Sequence, residues 1–413
     1  MIYLDNHATT RVAPEVLAAM LPYFTEEYGN AASVNHAFGW RAAEAVERAR
    51  GQVARLLNCP ADWIVFTSGA TEANNLAIKG VCRMAAPGRP ASKRFLSGTA
   101  EGGHPTEFVT NAAEHPSVLD VAKRLRRQGV EVTILPVDRC ARVNPQQVGD
   151  AIKPATAIVS VMLANNEVGT INPIAELGRV CRERGVLLHC DAVQAVGKIP
   201  VDLRQLPIDL LSLSAHKFHG PKGVGALVVR RDGPRIPLET LFDGGGHEQH
   251  LRSGTLPVPL IVGFGVACEL SPLTRSVSEG ELGSGLCGHS PSLTLRVGGG
   301  ALRDRLWQRL QAELEGLSLN GPPLGERLPN NLNFSVAGVD GEALMSGLKE
   351  IAVSSGSACS TAEPEPSHVL RAMGVPDALS RASLRFGLSR YTTEAEIDIA
   401  VAEVVGVVTR LRG

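Results

Sequence analysis

The sequence has little of what marks several broad classes of protein. Only 4% of its 413 residues are aromatic, and 41 basic side chains nearly balance 42 acidic ones, giving a formal net charge of -1. This balance provides no electrostatic footprint for nucleic acid or an anionic membrane. No run approaches the roughly 18 uncharged apolar residues of a membrane span, and the first residues do not resemble a signal peptide. We expect a cytoplasmic protein that binds neither nucleic acid nor membrane.

Paired cysteines are also missing. The eight cysteines show no CxxC spacing in this long chain, so the sequence indicates neither a zinc motif nor a disulfide framework. His247 and His250 flank Glu248, but the loop lacks a further matched ligand. We expect no resident metal, and the remaining question is which cysteine is reactive.

The chain does contain an alternation of apolar runs with helix-like segments between about residues 15 and 260. Runs rich in Val, Ile and Leu lie at 63–66, 130–136, 157–163, 186–190, 209–214 and 225–229. Strands that are buried on both faces have such continuous apolar sequences, so the pattern predicts an α/β domain with a mostly parallel sheet.

The pattern changes to that of an α+β domain near residue 296. Leucines recur there at helical spacing, at Leu302, Leu306, Leu310, Leu314 and Leu317. Thr393 and Glu396 form a capping-box pattern ahead of a further apolar helix. Both features are interpreted as belonging to the packing of this second region.

The length of the chain favours two domains over one. The change of pattern predicts a large domain at 16–259 and a small domain formed by 1–15 and 260–413. Two segments, at about 86–106 and 272–299, are rich in Gly, Ser and Pro and are interpreted as surface insertions.

Polar side chains follow several predicted strands, at the edge where open α/β sheets bind ligands. Lys217 comes just after the run 209–214, where a lysine can form an imine with a carbonyl cofactor. Asp191 closes an earlier strand, where a carboxylate can keep a heteroaromatic nitrogen protonated, as pyridoxal phosphate requires. Residues 67–72 can offer amides and hydroxyls to a phosphate at a helix N-terminus. Each signal alone is common in ordinary turns and caps; together they favour a pyridoxal phosphate site.

Cys359 lies in a run of small polar residues at 354–361. A thiol in such a loop can attack a substrate sulfur and then present that sulfur to an acceptor. On its own, Cys359 is better interpreted as one of eight cysteines that happens to fall in a loop, but together with Lys217 and Asp191 it is interpreted as reactive. The other seven are interpreted as small apolar residues, such as Cys190 within a predicted buried strand.

Nine motifs, in this order, resemble those of the cysteine desulfurases. They are YLDNHATT (3–10), YGNAASVNH (28–36), FTSGATEANNLAIKG (66–80), AEHPSVLD (113–120), ANNEVGTI (164–171), HCDAVQAVGK (189–198), SLSAHKFHGPKGVGAL (212–227), GGGHEQHLRSGTLPV (244–258) and SSGSACSTAEPEPSHVLRAMG (354–374). The resemblance implies a homodimeric, pyridoxal-phosphate-dependent transferase of fold type I, like aspartate aminotransferase. Its large domain would contain a mostly parallel seven-stranded sheet, and its smaller domain would be α+β.

The resemblance also implies roles for individual residues. Lys217 would be the Schiff-base lysine, Cys359 the persulfide cysteine, and His115 would stack on the cofactor ring and move protons. Contacts with the cofactor are implied for Ala70, Thr71, His115, Asn166, Asp191, Gln194 at the phenolic oxygen, Ser214, His216, Lys217 and, from the partner subunit, Thr255. Contacts with the substrate are implied for Asn30, Asn166 and Arg385.

The implied reaction converts L-cysteine to L-alanine and leaves the sulfur as a persulfide on Cys359. A sulfur-acceptor or iron–sulfur scaffold protein would then take it, for iron–sulfur cluster assembly or tRNA thiolation, and Cys359 could transiently ligate the cluster. Two alternatives remain open: a selenocysteine lyase, which would use the same lysine, aspartate and cofactor, and a non-catalytic scaffold or sulfur-relay partner. His7 and Ala31 depart from the family pattern, and we expect both at the rim of the site without contact to the chemistry.

Overall fold

The computed structural model describes residues 1–84, 107–273, 299–355 and 366–413. The first predicted insertion, 86–106, lies outside these ranges, and so does nearly all of the second, 272–299. Cys359 likewise lies outside the described residues.

Strands and helices alternate through the first two of these ranges. The strands are β1 (Ile2–Tyr3), β2 (Ile64–Thr67), β3 (Glu107–Asn111), β4 (Glu131–Leu135), β5 (Thr156–Ser160), β6 (Leu187–Asp191), β7 (Leu210–Ser214), β8 (Gly225–Val229), β9 (Leu317–Leu319), β10 (Asn331–Val336), β11 (Ile351–Ala352) and β12 (Ser383–Gly387). The helices are α1 (Pro14–Met20), α2 (Pro22–Thr25), α3 (Ala37–Leu56), α4 (Ala70–Met84), α5 (Pro116–Arg127), α6 (Pro145–Ala151), α7 (Ile174–Glu183), α8 (Val258–Glu269), α9 (Gly299–Glu313), α10 (Gly341–Gly347), α11 (His368–Ala372), α12 (Asp377–Arg381) and α13 (Glu394–Arg412). Among the described residues, no helix combines the length and the apolar character needed to cross a bilayer.

The central sheet has seven strands in the order β2-β8-β7-β6-β5-β3-β4. The pairs from β4 to β7 are parallel, whereas β8 runs antiparallel to both β7 and β2. Every residue of β6, β7 and β8 is buried, which explains their continuous apolar sequences. The predicted α/β fold with a mostly parallel seven-stranded sheet is confirmed.

One strand of this sheet, β3, does not follow from the apolar pattern. It contains Glu107, Thr110 and Asn111, which are all buried. Their polar atoms have partners: the Glu107 carboxylate accepts a hydrogen bond from Thr133 Oγ1 at 2.8 Å, for example. Polar groups that are paired in this way can occupy a central strand, although the sequence pattern alone does not predict it.

A second apolar core lies around the antiparallel sheet β12-β10-β9, where α9 and α13 pack. The predicted capping box begins α13, with Thr393 Oγ1 and the Glu396 carboxylate each accepting a hydrogen bond from the other residue's backbone amide. The leucine pattern overruns its helix, because α9 ends at Glu313 and Leu317 already belongs to β9. Gly316 turns the chain between them with a φ of 69°.

The N-terminal residues join the two cores. β1 pairs with β11, and Leu4 is buried in the second core. The next residues pass so close to β12 that a Cβ on Gly387 would lie 2.6 Å from His7 N. The chain then reaches the first core at Ala13. The boundaries 16–259 and 260–413 remain a prediction.

Candidate active site

A cavity of about 880 Å³ lies where the carboxyl ends of β6 and β7 face the N-terminus of α4. The predicted site residues that line it are Ala70, Thr71, His115, Asn166, Asp191, Gln194, Ser214, His216, Lys217 and Arg385. Asn30 and Thr255 are not among its lining residues, and both are exposed. Ten residues from distant parts of the sequence are therefore brought together within one chain.

Lys217 ends a short 3₁₀ turn that follows β7. Its Nζ donates hydrogen bonds to the carbonyl oxygens of His7, at 2.7 Å, and Ala8, at 2.8 Å. These contacts direct a half-buried primary amine along the cavity wall. An amine in this position is suited to imine formation and proton transfer.

Asp191, at the end of β6, is only 6% exposed. Its Oδ2 accepts a hydrogen bond from Asn74 Nδ2 at 2.8 Å, and its Oδ1 accepts one from the backbone amide of Val193 at 3.1 Å. Neither donor is a cation, so the carboxylate remains available to a positively charged group in the cavity.

The turn before α4 has the features of an anion cradle. Residues 68–71 line the cavity at the start of this 15-residue helix, where backbone amides lack partners within the helix. Gly69 has a φ of 152°, which favours glycine. β8 approaches this turn so closely that a Cβ on Gly225 would lie 2.8 Å from Gly69 Cα. Ser214 and His216 contribute polar side chains to the same cavity.

The amide group of Gln194 is fixed on both sides. Its Oε1 accepts hydrogen bonds from Lys198 Nζ at 2.6 Å and from His7 Nδ1 at 3.0 Å, while its Nε2 donates to the His7 carbonyl at 3.0 Å. With two donors on the oxygen, the amide has an N–H left for a ligand. Gln194 therefore acts as a hydrogen-bond donor toward the cavity.

His7 is not at the rim of the site, where the sequence places it, but inside, with only 1% of its surface exposed. It lines the cavity, and its Nε2 lies 3.2 Å from the Asn331 amide nitrogen. Burial lowers the pKa of His7 well below its ordinary value. A neutral ring that donates from Nδ1 and accepts at Nε2 satisfies both partners. Ala31 is not among the lining residues of the cavity.

Arg385, on β12, is 3% exposed and already paired. Its Nη2 donates to Asp5 Oδ1 at 2.8 Å and to Ser354 Oγ at 3.1 Å, and its Nη1 donates to the Asn166 carbonyl at 3.3 Å. The Nε is buried without a hydrogen-bond partner. A substrate carboxylate would share this guanidinium with Asp5.

The residues on either side of segment 356–365 line the same cavity. Ser355 stands before the segment, and Pro366 follows it. Ser354 is held against β12 by a backbone hydrogen bond from Arg385 N to its carbonyl at 2.7 Å. On the other side, Ser367 Oγ donates to the buried Glu167 carboxylate and caps α11.

Three further residues of the site escape the sequence interpretation. Lys198 and Asn74 hold Gln194 and Asp191, respectively, and His368 lines the cavity with its Nε2 2.9 Å from the Glu114 carbonyl. The four-residue spacing from Gln194 to Lys198 was available in the sequence, but it is common in ordinary turns.

The chain belongs to the class-V aminotransferases, an enzyme class that depends on pyridoxal phosphate. The family model described as "Aminotransferase class-V" matches residues 2–274 and 298–399.

Curated relatives narrow this assignment. "Cysteine desulfurase IscS" of Anaeromyxobacter dehalogenans (strain 2CP-C) is 53% identical, over 97% of this chain and 90% of that protein. "Cysteine desulfurase" of Homo sapiens is 44% identical, over 100% of this chain and 82% of that protein. Within the class, the chain belongs to the cysteine desulfurases.

Solved structures agree with the fold. A structure titled "NIFS-LIKE PROTEIN" superposes with a TM-score of 0.83 at 34% identity, over 99% of this chain and 100% of the other. A second, titled "SspA in complex with cysteine", gives a TM-score of 0.76 at 32% identity, over 95% of this chain and 100% of the other.

Proposed function

We propose that this chain binds pyridoxal 5'-phosphate and L-cysteine, releases L-alanine and keeps the sulfur as a persulfide on Cys359. The observation that carries the proposal is the convergence on one cavity of Lys217, Asp191, Arg385 and both flanks of segment 356–365. No single one of these features would distinguish a desulfurase from another enzyme of the class.

The residues of the cavity fit the cofactor. The α4 turn with Ser214 and His216 would hold the phosphate, Asp191 the ring nitrogen and the Gln194 N–H the phenolic oxygen. When bound, pyridoxal phosphate supplies a ring that accepts electrons from the substrate carbon next to its imine.

Side chains of this protein would orient the substrate, remove its proton and accept its sulfur. Arg385 orients the substrate carboxylate, and the Lys217 amine takes the proton from the neighbouring carbon. The Cys359 thiolate attacks the substrate sulfur; a sulfur–sulfur bond forms, the carbon–sulfur bond breaks, and its electron pair stays with carbon, which is then protonated to give alanine. Cys359 is four residues from Ser355, a length that spans at most about 14 Å of extended chain.

The other thiols support the choice of Cys359. Burial raises the pKa of each of the six described cysteines, to about 12 for Cys59, Cys82 and Cys181. Such thiols are poor nucleophiles at neutral pH, because the reactive form is the thiolate.

The test is alanine release from L-cysteine by protein loaded with pyridoxal phosphate and supplied with a thiol reductant. We expect Lys217→Ala and Cys359→Ala to abolish release, and Cys140→Ala, the same change at a partly exposed cysteine of the described residues, to retain it. Release by Cys359→Ala at the wild-type rate would overturn the role of that thiol. Activity on selenocysteine alone would identify a selenocysteine lyase, and bound cofactor without turnover on either substrate would favour a scaffold role.

We also propose a cytoplasmic homodimer that passes sulfur to an acceptor or iron–sulfur scaffold protein. Large apolar side chains are exposed along the N-terminal helices and the loop between them, at Leu17, Leu21, Phe24, Tyr28, Val34, Phe38 and Trp40. An apolar surface of this kind is typical of an interface between subunits. Such an interface would allow Thr255, which is not among the lining residues of its own cavity, to complete the partner's site.

A further inference from the structure

We propose that Ser117 and Asn74 hold His115 as a neutral imidazole whose Nε2–H is the group offered to the cavity. In this resting state the ring of His115 is uncharged, and its Nε2–H is a hydrogen-bond donor. The inference rests on the proposed function only for what the N–H would contact; the state of the ring follows from the contacts below.

The first contact is with the start of α5. His115 is the N-cap of this helix, with Pro116 at its first position, and its Nδ1 lies 3.1 Å from the backbone nitrogen of Ser117. A backbone amide can only donate a hydrogen bond. Nδ1 must therefore carry a lone pair, and the proton of the neutral ring is on Nε2.

The second contact is the hydrogen bond between Ser117 and His115, and its direction depends on Asn74 and Asp191. The Asp191 carboxylate can only accept, so the Asn74 group at 2.8 Å from Oδ2 is the amide NH₂. The same NH₂ group lies 2.8 Å from Ser117 Oγ and donates to it. The Ser117 hydroxyl proton is then free to point at His115 Nδ1, 2.8 Å away. Asn74 is fully buried, which holds this series in place.

Protonation of Nδ1 would place a new N–H opposite the Ser117 backbone N–H and the Ser117 hydroxyl proton, which both act as donors in this arrangement. Protonation would therefore break the hydrogen bond that the partly buried backbone amide donates to this nitrogen, which costs free energy. Burial lowers the pKa of His115, and the positive charges of Lys217 and His368 lower it further, whereas the carboxylates of Asp191 and Asp120 oppose this. The hydrogen bonds and the burial therefore act in the same direction against an imidazolium.

The arrangement leaves Nε2–H as the polar group of His115 that is not committed to the helix. His115 lines the cavity, and no hydrogen bond to its Nε2 is formed by the described residues. A neutral N–H is a donor of fixed sense over the pH range in which a free histidine would change charge. It suits a ligand oxygen that must be polarised without being protonated.

The experiment is ¹⁵N NMR of histidine-labelled protein loaded with pyridoxal phosphate, with the His115 signals assigned from their loss in His115→Asn. We expect the pattern of the Nε2–H tautomer, unchanged between about pH 6 and pH 8, the interval in which an unperturbed histidine titrates. A cationic ring at neutral pH, or the Nδ1–H tautomer, would overturn the proposal.

Variants test whether the hydrogen-bond series Asn74–Ser117–His115, called the relay below, controls the titration of His115. Ser117→Ala removes the hydroxyl but keeps the backbone donor, and Asn74→Ala removes the group that orients the hydroxyl; both should raise the apparent pKa of His115. Ser117→Thr should restore the wild-type titration, and Asn75→Ala, which alters the adjacent helix residue, should leave it unchanged. If Ser117→Ala and Asn74→Ala fold but titrate as wild type, the relay does not control the ring.

The readout is independent of turnover. A neutral Nε2–H ring in a protein that releases no alanine would contradict the proposed function and leave this inference standing. A titrating ring in a protein that does release alanine would contradict this inference alone.

Discussion

Three buried or partly buried histidines, two of which line the cavity, are held neutral for the same physical reason. Burial lowers the pKa of His189 and His216 to about 4 and that of His7 well below its ordinary value. Each of these rings has a polar partner: His189 bridges Ser160 and Ser212, and His216 lies 3.1 Å from Thr9 Oγ1. These histidines thus contribute uncharged rings that hydrogen-bond with neighbouring polar groups, while positive charge in the cavity comes from lysine and arginine.

Gln194 gives a prediction at the scale of the residue. Lys198→Met removes one of the two donors that orient its amide, so the N–H should contact the cofactor's phenolic oxygen less well. We expect the preference for pyridoxal phosphate over its 3-deoxy analogue to fall about fivefold, the value of one net hydrogen bond. Titration of both ligands by absorbance measures this.

Two control variants test whether the effect of Lys198→Met comes from the loss of its N–H donor. Lys198→Gln keeps an N–H donor and should retain most of the preference, whereas Lys123→Met, on an exposed face of α5, should retain all of it. An unchanged ratio in Lys198→Met would mean that His7 alone orients Gln194.

At the scale of the element, the sequence shows which strands carry the site but not everything that completes it. Lys217 and Asp191 were identifiable because parallel strands end at a common edge. The roles of His7 and Asn74 could not be predicted, because their partners Gln194 and Asp191 lie 187 and 117 residues away. Patterns over a few neighbouring residues contain no information about such distant pairs. The buried polar strand β3 is missed for the same reason, because the partners of its polar side chains lie on other segments.

The contact between β8 and the α4 turn gives the prediction at this scale. A Cβ in Gly225→Ala would meet the Leu213 carbonyl at 2.5 Å as well as Gly69 Cα, so the phosphate-binding turn must shift. We expect a loss of about 1 to 3 kcal/mol in the free energy of unfolding, as for overpacking elsewhere, together with weaker cofactor binding. Urea unfolding and equilibrium dialysis measure the two effects.

Gly51→Ala is the matched control for this substitution. In α3 a Cβ at position 51 comes no closer than 3.8 Å to a neighbouring heavy atom outside the local backbone, so the change should raise stability by up to about 1 kcal/mol. Full cofactor affinity in Gly225→Ala would show that the close packing of β8 against Gly69 does not determine the conformation of the turn before α4.

At the scale of the whole molecule, the cavity of one chain contains ten of the predicted site residues but not Thr255. In the proposed homodimer this threonine serves the partner's cavity. Lys217→Ala and Thr255→Asp should then each be inactive alone, the second because its carboxylate would repel the phosphate.

Mixing the two inactive variants tests this arrangement. Random exchange in a two-fold dimer forms one intact site in each mixed dimer, which restores about a quarter of the wild-type activity. No recovery, with subunit exchange verified by mass spectrometry, would exclude a shared site.

The passage of residues 5–8 between the two cores has a consequence for the order of folding. Asp5 accepts a hydrogen bond from Arg385, which lies 380 positions away in the sequence. His7 is hydrogen-bonded to Gln194, which lies 187 positions away. Contacts of such long range form only after both cores can present their surfaces, because loop closure must precede them. We therefore expect the active site to assemble late in folding. Uptake of the cofactor should accordingly mark the end of folding, with each core able to gain secondary structure before any ligand can bind.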